Sequence, residues 1–459
     1  ALDVTTIGAG TDDGLIHITK DGGKNWKDVT PLAMKSWDKV SIMDAGHFDV
    51  NTAYAAINAI RKDDMKPHIF RTHDGGATWK EIVKGMNPMG PVNVVREDPK
   101  QKGLLFAGTE REVYFSIDDG ENWQSLRMNM PATSIRDLVI HEDDLVIGTH
   151  GRSIWIMDNI NPLREQAKAA AAEKAYLFSS PVTIRVRDNM FLDTPIPPEE
   201  PTGKNPPDGA ILDYMLKQNA SEVTLEIVNN GGEVVRKYSS KDKPEVLDTA
   251  SMQYPTYWFR PAQKIETTTG HHRFIWNLRY APPVGSIRQH SISAVYQNTP
   301  TGPQGPFVMP GKYTVRLTVD GKTMEQPLEI KMDPRVSINA SDLKAQFDYS
   351  MECYKAYHEL QAMRESVEAQ LNGKKKLKKA QYTALRDMVG EGAPENPDII
   401  YGSITERPNE TIVGLQDKFL HMQLVFQNAD VKPTSQAISG LKRLQEIKAE
   451  IEKKRAELK

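Results

Sequence analysis

The sequence predicts a mainly β chain with an α-helical C-terminal part, and three observations predict it. The pattern Ser/Thr-x-Asp-x-Gly-x-x-Trp occurs three times between Thr19 and Trp123. A second landmark, Gly-Thr followed by a polar residue, recurs at Gly10-Thr11-Asp12, Gly108-Thr109-Glu110 and Gly148-Thr149-His150. After Ser341 the apolar spacing changes from the alternation of strands to the 3–4 spacing of helices.

The repeated pattern suits a hairpin that locks itself. Its three copies are Thr19, Asp21, Gly23, Trp26; Thr72, Asp74, Gly76, Trp79; and Ser116, Asp118, Gly120, Trp123. In each, a hydroxyl and a carboxylate can accept backbone N–H groups across the turn, and Gly supplies a left-handed backbone position. The Trp that follows has a large apolar face to bury. Asp21, Asp74 and Asp118 lie 53 and 44 residues apart, the length of a four-stranded propeller blade. Two landmarks repeating in one order predict a β-propeller.

Taken in order, residues 1–30 read as a blade without its first strand, with strands near Thr5–Ala9, Leu15–Ile18 and Asn25–Val29. Residues 38–83 and 91–126 read as complete blades. A last blade begins at Ser134 and stops at Asp158 without a fourth strand. Such a ring needs at least about four blades to close, so the sequence predicts the C-terminal blades of a propeller over 1–161, completed by an upstream part of the same polypeptide. Pro162–Lys174, rich in Ala and charge, reads as a helical linker.

Residues 175–335 carry strand-like runs at Thr183–Val186, Glu222–Val228, Val234–Tyr238, His272–Leu278, Lys312–Val319 and Glu325–Ile330. Asn229–Gly232 and Asp320-Gly321 are hairpin turns. The pattern suits an immunoglobulin-like β-sandwich with long loops, the stretches 195–207 and 299–310 being proline-rich. Residues 336–459 read as a helical bundle: Leu343, Phe347, Met351, Tyr354, Met363, Val367 and Leu371 form one stripe. Asn372–Lys379 is a basic turn, Thr411–Gln427 a second long helix, and Thr434 starts a last one.

Composition excludes several classes of function. A net charge of −3 over 459 residues argues against nucleic acid or an anionic membrane as the main partner. No apolar run is long enough to span a bilayer. The single cysteine, Cys353, excludes an internal disulfide framework and reads as a core residue. No metal-ligand spacing, phosphate loop or Ser–His–Asp arrangement is visible, so no metal or cofactor is expected.

The three turns match the Asp-box (BNR repeat) of sialidase-type propellers. The wider wording, GTDDGLIHITKDGGKNW, VVREDPKQKGLLFAGTE and THGRSIWIMDNINPLRE, resembles the sortilin-like propeller proteins of bacteria, often labelled glycosyl hydrolases. The likeness continues through NPPDGAILDY, GHHRFIWNLRY, PGKYTVRLTVDGK and MDPRV, and so covers most of residues 1–336. It implies an exported protein (periplasmic, cell-surface or secreted) that binds a peptide or glycan or acts in the assembly of a larger complex. The alternative is a glycoside hydrolase with its site on the propeller rim.

The locking turns themselves read as structural, on the face opposite the usual ligand face. Function is expected where the second strand of each blade turns into the third. That places Asp12, Asp13, Arg61, Asp63, Asp64, Glu110, Arg111, His150 and Arg152 near one rim. Glu110, His150, Arg152 and Arg61 are the candidate ligand-binding residues, a carboxylate with arginines suiting a polar ligand. Glu110 with Asp12 or Asp63 is the candidate catalytic pair, since glycosidases need two carboxylates about 5–10 Å apart. Glu110 and His150 occupy equivalent positions in consecutive blades and are expected to be neighbours, with Arg152 reaching the same space. Arg96, Glu97, Arg136 and Asp137, on inner strands, are placed along the central channel. The opposing expectation is a network of ion pairs between blades.

Overall fold

The structure is a computed structural model that describes residues 2–187, 203, 205–243, 262–286, 303–373, 377–390 and 410–458. The proline-rich stretches 195–202 and 299–302 and residues 374–376 of the basic turn lie outside the described residues. The chain divides into two compact units, Ala1–Pro181 and Val182–Lys459.

The first unit is a succession of four small antiparallel sheets. The first has three strands, Ile7–Gly10, Ile16–Thr19 and Lys27–Asp28. The second and third have four each: Lys39–Ala45, Ala53–Asn58, His68–Thr72 and Lys80–Glu81, then Val92–Glu97, Leu105–Thr109, Val113–Ser116 and Gln124–Ser125. The fourth has three, Ile135–His141, Asp144–Thr149 and Ile154–Met157. Sheets pack face to face as blades. Tyr54, Ile69 and Ile82 of the second blade share a core with Val95, Leu105, Tyr114 and Trp123 of the third. Phe106, Phe115 and Val94 of the third share another with Ile135, Leu138 and Ile147 of the fourth.

The three locking turns are built alike. Asp21 accepts the Asn25 N–H at 3.0 Å, Asp74 the Thr78 N–H at 2.8 Å, and Asp118 the Asn122 N–H at 2.9 Å. The hydroxyl two residues before each Asp accepts the glycine N–H, at 3.0, 2.9 and 2.9 Å. Gly23, Gly76 and Gly120 all have φ between 84° and 93°, a conformation that penalises any side chain with a Cβ. The Asp21 carboxyl is held at about 2, chiefly by the Asn25 N–H and the Thr19 hydroxyl. Asp74 is also held at about 2, chiefly by the hydroxyl and N–H of Thr78. Because these values lie below the unfolded one, the stabilisation is fully present above about pH 4 and lost as pH falls through about 2. The urea midpoint is therefore expected to drop over that window. Asp21→Asn with Asp74→Asn should flatten the drop, and an unchanged acid limb would show that the turns do not carry it.

The chain leaves the fourth blade through two short helices, Asn161–Arg164 and Gln166–Ala171. This stretch also docks on the blades. Arg164 bonds Asp98 at 2.8 and 3.0 Å, and also bonds Asp143.

The second unit is a β-sandwich with helices. One sheet orders Thr183–Arg185, Lys322–Met332, Gly311–Val319, Val223–Asn229 and Val234–Ser239, the first pair parallel and the others antiparallel. Ala210–Leu216 pairs antiparallel with Gly270–Trp276. Rings bridge these sheets: Trp276 meets Tyr313 edge-on at 6.0 Å, and Phe274 meets Tyr238 at 4.6 Å. The helices are Ala340–Leu371, Lys379–Val389, Ile412–Gln427 and Ser435–Glu457. Side-chain caps at Asn339, Thr411 and Thr434 start three of them, each satisfying an N–H that the helix cannot. Cys353 is fully buried in their shared core with Leu360, Leu415 and Phe419, and burial pushes its thiol pKa up.

Candidate functional site

The connections after each second strand form one series of rim positions. In the first blade Thr11 accepts the Leu15 N–H and tightens the turn that carries Asp12 and Asp13. Asp12 is gripped by two cations, Lys39 at 3.2 Å and Arg61 at 3.1 Å. The hydrogen bond from Lys39 is the main cause that holds its carboxyl below the usual range. Arg61 belongs to the 3-10 turn Ile60–Lys62, which ends with Asp63 at φ 60°. Asp63 is exposed, whereas Asp64 lies 3.4 Å from the His68 ring. Lys62 reaches across to Asp38 at 2.7 Å and the Ser36 carbonyl at 3.0 Å.

Between those anchors stands a residue absent from the sequence-based candidates. Trp37 has φ 68°, a costly value for a bulky side chain. Its N–H donates to the Asp13 carbonyl at 2.7 Å, and its side chain is 62% exposed. An indole held in a strained backbone yet left in solvent gains nothing from burial. The sequence signal was a Trp inside a polar loop, Lys35-Ser36-Trp37-Asp38, outside every strand pattern.

Further round, Glu110 does not join His150 or Arg152 in a hydrogen-bonded pair. It accepts from Arg136 at 3.1 Å and Asn93 at 3.0 Å, and Asn93 also donates to the Ile135 carbonyl and accepts from Asn58. The second, third and fourth blades are thus tied together by Asn58, Asn93, Glu110 and Arg136. The physical reason is distance to a stronger partner: Arg136, on the inner strand of the next blade, satisfies the carboxylate first. His150 and Arg152 are exposed, and their side chains make no hydrogen bond or ion pair among the described residues. Arg111 is also exposed.

The inner-strand residues are engaged rather than free. Arg96 donates to the Leu138 carbonyl and to Asp137, at 3.0 and 2.9 Å. Glu97 is 3% exposed and accepts the His47 N–H at 2.7 Å, so it does not line an open channel. Asp44 accepts the Glu97 N–H at 2.8 Å, and burial pushes its carboxyl up. It lies at the opposite end of its strand from Lys39, away from the rim. A cavity of about 160 Å³ opens between the first two blades, walled by Ile16, Val29, Met43 and Trp79. None of the rim candidates lines it.

No protein-family model matches the chain. A stretch of 78 residues is 33% identical to vacuolar protein sorting/targeting protein 10 of Pyrenophora teres f. teres, which is 17% of this chain and 5% of that protein. Among solved structures, a GH74 xyloglucanase from Xanthomonas campestris matches at 19% identity over 35% of this chain and 26% of its own, with a TM-score of 0.27. YCF48 bound to D1 peptide matches at 16% over 52% of this chain and 67% of its own, TM-score 0.27. An ancestral GH74 enzyme matches at 14% over 70% and 46%, TM-score 0.28. The chain spans only a small part of the curated relative and about a quarter of the first xyloglucanase.

Proposed function

We propose that this is an exported, non-catalytic binding or assembly protein whose propeller rim holds a peptide or glycan. The observation that carries the reading is Trp37, exposed beside the Asp12–Arg61 ion pair. An exposed indole whose backbone bonds Asp13, next in sequence to the Asp12 that pairs with Arg61, suits a sugar ring or a peptide's aromatic or charged group. Export rests on the resemblance of the repeat wording to the sortilin-like proteins.

The charge states weigh against hydrolysis. A glycosidase needs one carboxyl held protonated near neutral pH beside one held ionised. Asp12 is stabilised as an anion by Lys39 and Arg61, and Glu110 is occupied by Arg136 and Asn93. Glycan- and peptide-array binding tests the proposal. Trp37→Ala and Arg61→Ala should each weaken binding by at least about tenfold, as hot-spot Trp and Arg residues do. Arg152→Ala is expected to change stability by no more than about 0.5 kcal/mol, since its side chain is exposed and makes no ion pair among the described residues. Release of reducing sugar from a polysaccharide panel, abolished by Glu110→Gln, would replace this reading with the hydrolase.

A further inference from the structure

Successive blades pack through equivalent side chains, and the interface between the first two lacks several of them. Gly8, Tyr54 and Phe106 hold one position in their blades. Each pairs with the residue just before the hydroxyl of a locking turn, namely Ile18, Arg71 and Phe115. The Tyr54 ring is buried in the core between the second and third blades, and the Phe106 ring in the core between the third and fourth. Gly8 faces the second blade in the same way, because a Cβ built on it would lie 3.1 Å from the Met43 methyl carbon. It has no ring to place there.

The facing wall is cut back as well. Ala53 of the second blade pairs with Thr72, the hydroxyl of its turn, as Leu105 of the third pairs with Ser116. Leu105 shares a core with Tyr54, whereas Ala53 supplies a single methyl. The partners of the tyrosine hydroxyl change too. Tyr54 donates to Asp119 at 2.7 Å and lies 3.5 Å from a Glu97 oxygen. Asp119 follows the turn aspartate Asp118, and the residue that follows Asp74 is Gly75. Glu97 pairs with Leu105, and its counterpart Ala45 pairs with Ala53. A ring, a leucine and two carboxylates at one interface are thus glycine or alanine at the other.

The cavity of about 160 Å³ lies where these side chains are missing, since Gly8, Ala45, Ala53 and Gly75 all line it. Close-packed interiors seldom keep such a void, and an apolar cavity of about 150 Å³ holds one benzene ring. The polar groups in the wall already have protein partners. The Trp79 N–H donates to the Val29 carbonyl at 2.7 Å, and Asp44 faces the Glu97 N–H and the Arg96 guanidinium. Val50, another lining residue, is 42% exposed, so the cavity reaches solvent. Thr72, Gly75 and Gly76 place it at the end that carries the locking turns, away from the rim loops.

We propose that this cavity is a binding site for one unsubstituted phenyl group, carried by a small aromatic molecule or by a phenylalanine of a peptide. The bound ring takes the place that Tyr54 and Phe106 fill at the next two interfaces, between the Gly8 backbone and Ala53, with Met43, Val29 and Trp79 around it. A ring hydroxyl is disfavoured, because Gly75 and Ala45 stand where Asp119 and Glu97 receive the hydroxyl of Tyr54. This site is separate from the one at Trp37 and does not depend on it.

Toluene is the probe, with the methyl groups of Met43, Val29 and Ile18 observed by NMR in the 459-residue chain. Intermolecular NOEs from the toluene ring to these methyls are expected, with p-cresol binding more weakly than toluene. Ala53→Leu restores the side chain found at Leu105 and leaves no room for a ring. It should weaken toluene binding at least about tenfold and raise the melting temperature, as filling a void does. Competition by a capped phenylalanine peptide, but not by its alanine counterpart, assigns the site to a peptide side chain; displacement by free aromatics alone assigns it to small molecules. Absence of the NOEs in the wild-type protein overturns the proposal. So does p-cresol binding more tightly than toluene, or undiminished toluene binding in a folded Ala53→Leu protein.

Discussion

Asp430→Ala should lower the stability of the second unit by about 3–5 kcal/mol, the usual cost of leaving one member of a buried ion pair alone. Arg185 and Asp430 lie 2.8 Å apart with both side chains 2% exposed. Arg187 adds a second contact to the same carboxylate oxygen at 2.7 Å. The Phe307 ring faces three guanidinium groups, Arg279 at 3.4 Å, Arg185 at 5.0 Å and Arg187 at 5.4 Å. Removing Asp430 takes away the carboxylate that Arg185 and Arg187 share. Stability by urea denaturation measures the loss. Arg185→Met combined with Asp430→Leu should recover much of it, because a packed apolar pair avoids the desolvation of both ions. A single-variant cost below about 1 kcal/mol would mean that water reaches the pair.

This pair ties the strand Thr183–Arg185 to the segment after the helix Ile412–Gln427, a link that no local pattern reveals. Arg185 sits in a period-two strand where an outward charge is the ordinary reading, and its partner is 245 residues away. Local patterns were legible where a local cause acts. The three turns were visible because hydroxyl, carboxylate and glycine satisfy one another within five residues. The helix starts at Thr411 and Thr434 were visible for the same reason, whereas the first helix was read from Ser341 and its cap is Asn339. Ala210–Leu216 was missed as a strand because it is buried on both faces and so lacks the alternation of a half-exposed strand. The helix Lys379–Val389 follows the basic turn, in a stretch to which the sequence reading assigned no element. On the rim, spacing placed Asp12, Arg61 and Glu110 in equivalent loops. It could not say that Asp12 would be taken by Lys39 and Arg61, or Glu110 by Arg136, because those partners come from neighbouring strands and blades.

Arg164→Ala should destabilise the propeller blades by about 3–5 kcal/mol, although Arg164 lies in a stretch whose composition suggests a mere linker. Its guanidinium contacts Asp98 through Nε and Nη2, and Asp143 and the Asn161 side-chain oxygen through Nη1. The Asp98 side chain is completely buried and that of Arg164 is 7% exposed. Asp98 follows the inner strand of the third blade, and Asp143 lies in the hairpin of the fourth, so one side chain clamps two blades. Burial alone would raise the Asp143 carboxyl, but bonds from Lys100 and Arg164 outweigh it and hold the value down. Truncation strands the Asp98 charge out of water, with the Lys100 and Gln101 N–H groups, among the described residues, left to hold it. Arg136→Ala makes the comparison: Arg136 is half exposed where it meets Glu110, and a pair in that setting contributes about 0–1 kcal/mol. Amide exchange in Ile135–His141 and Asp144–Thr149 should accelerate in the Arg164 variant and stay near wild type in the Arg136 variant. Equal effects from the two would show that the helical exit from the fourth blade does not hold it in place.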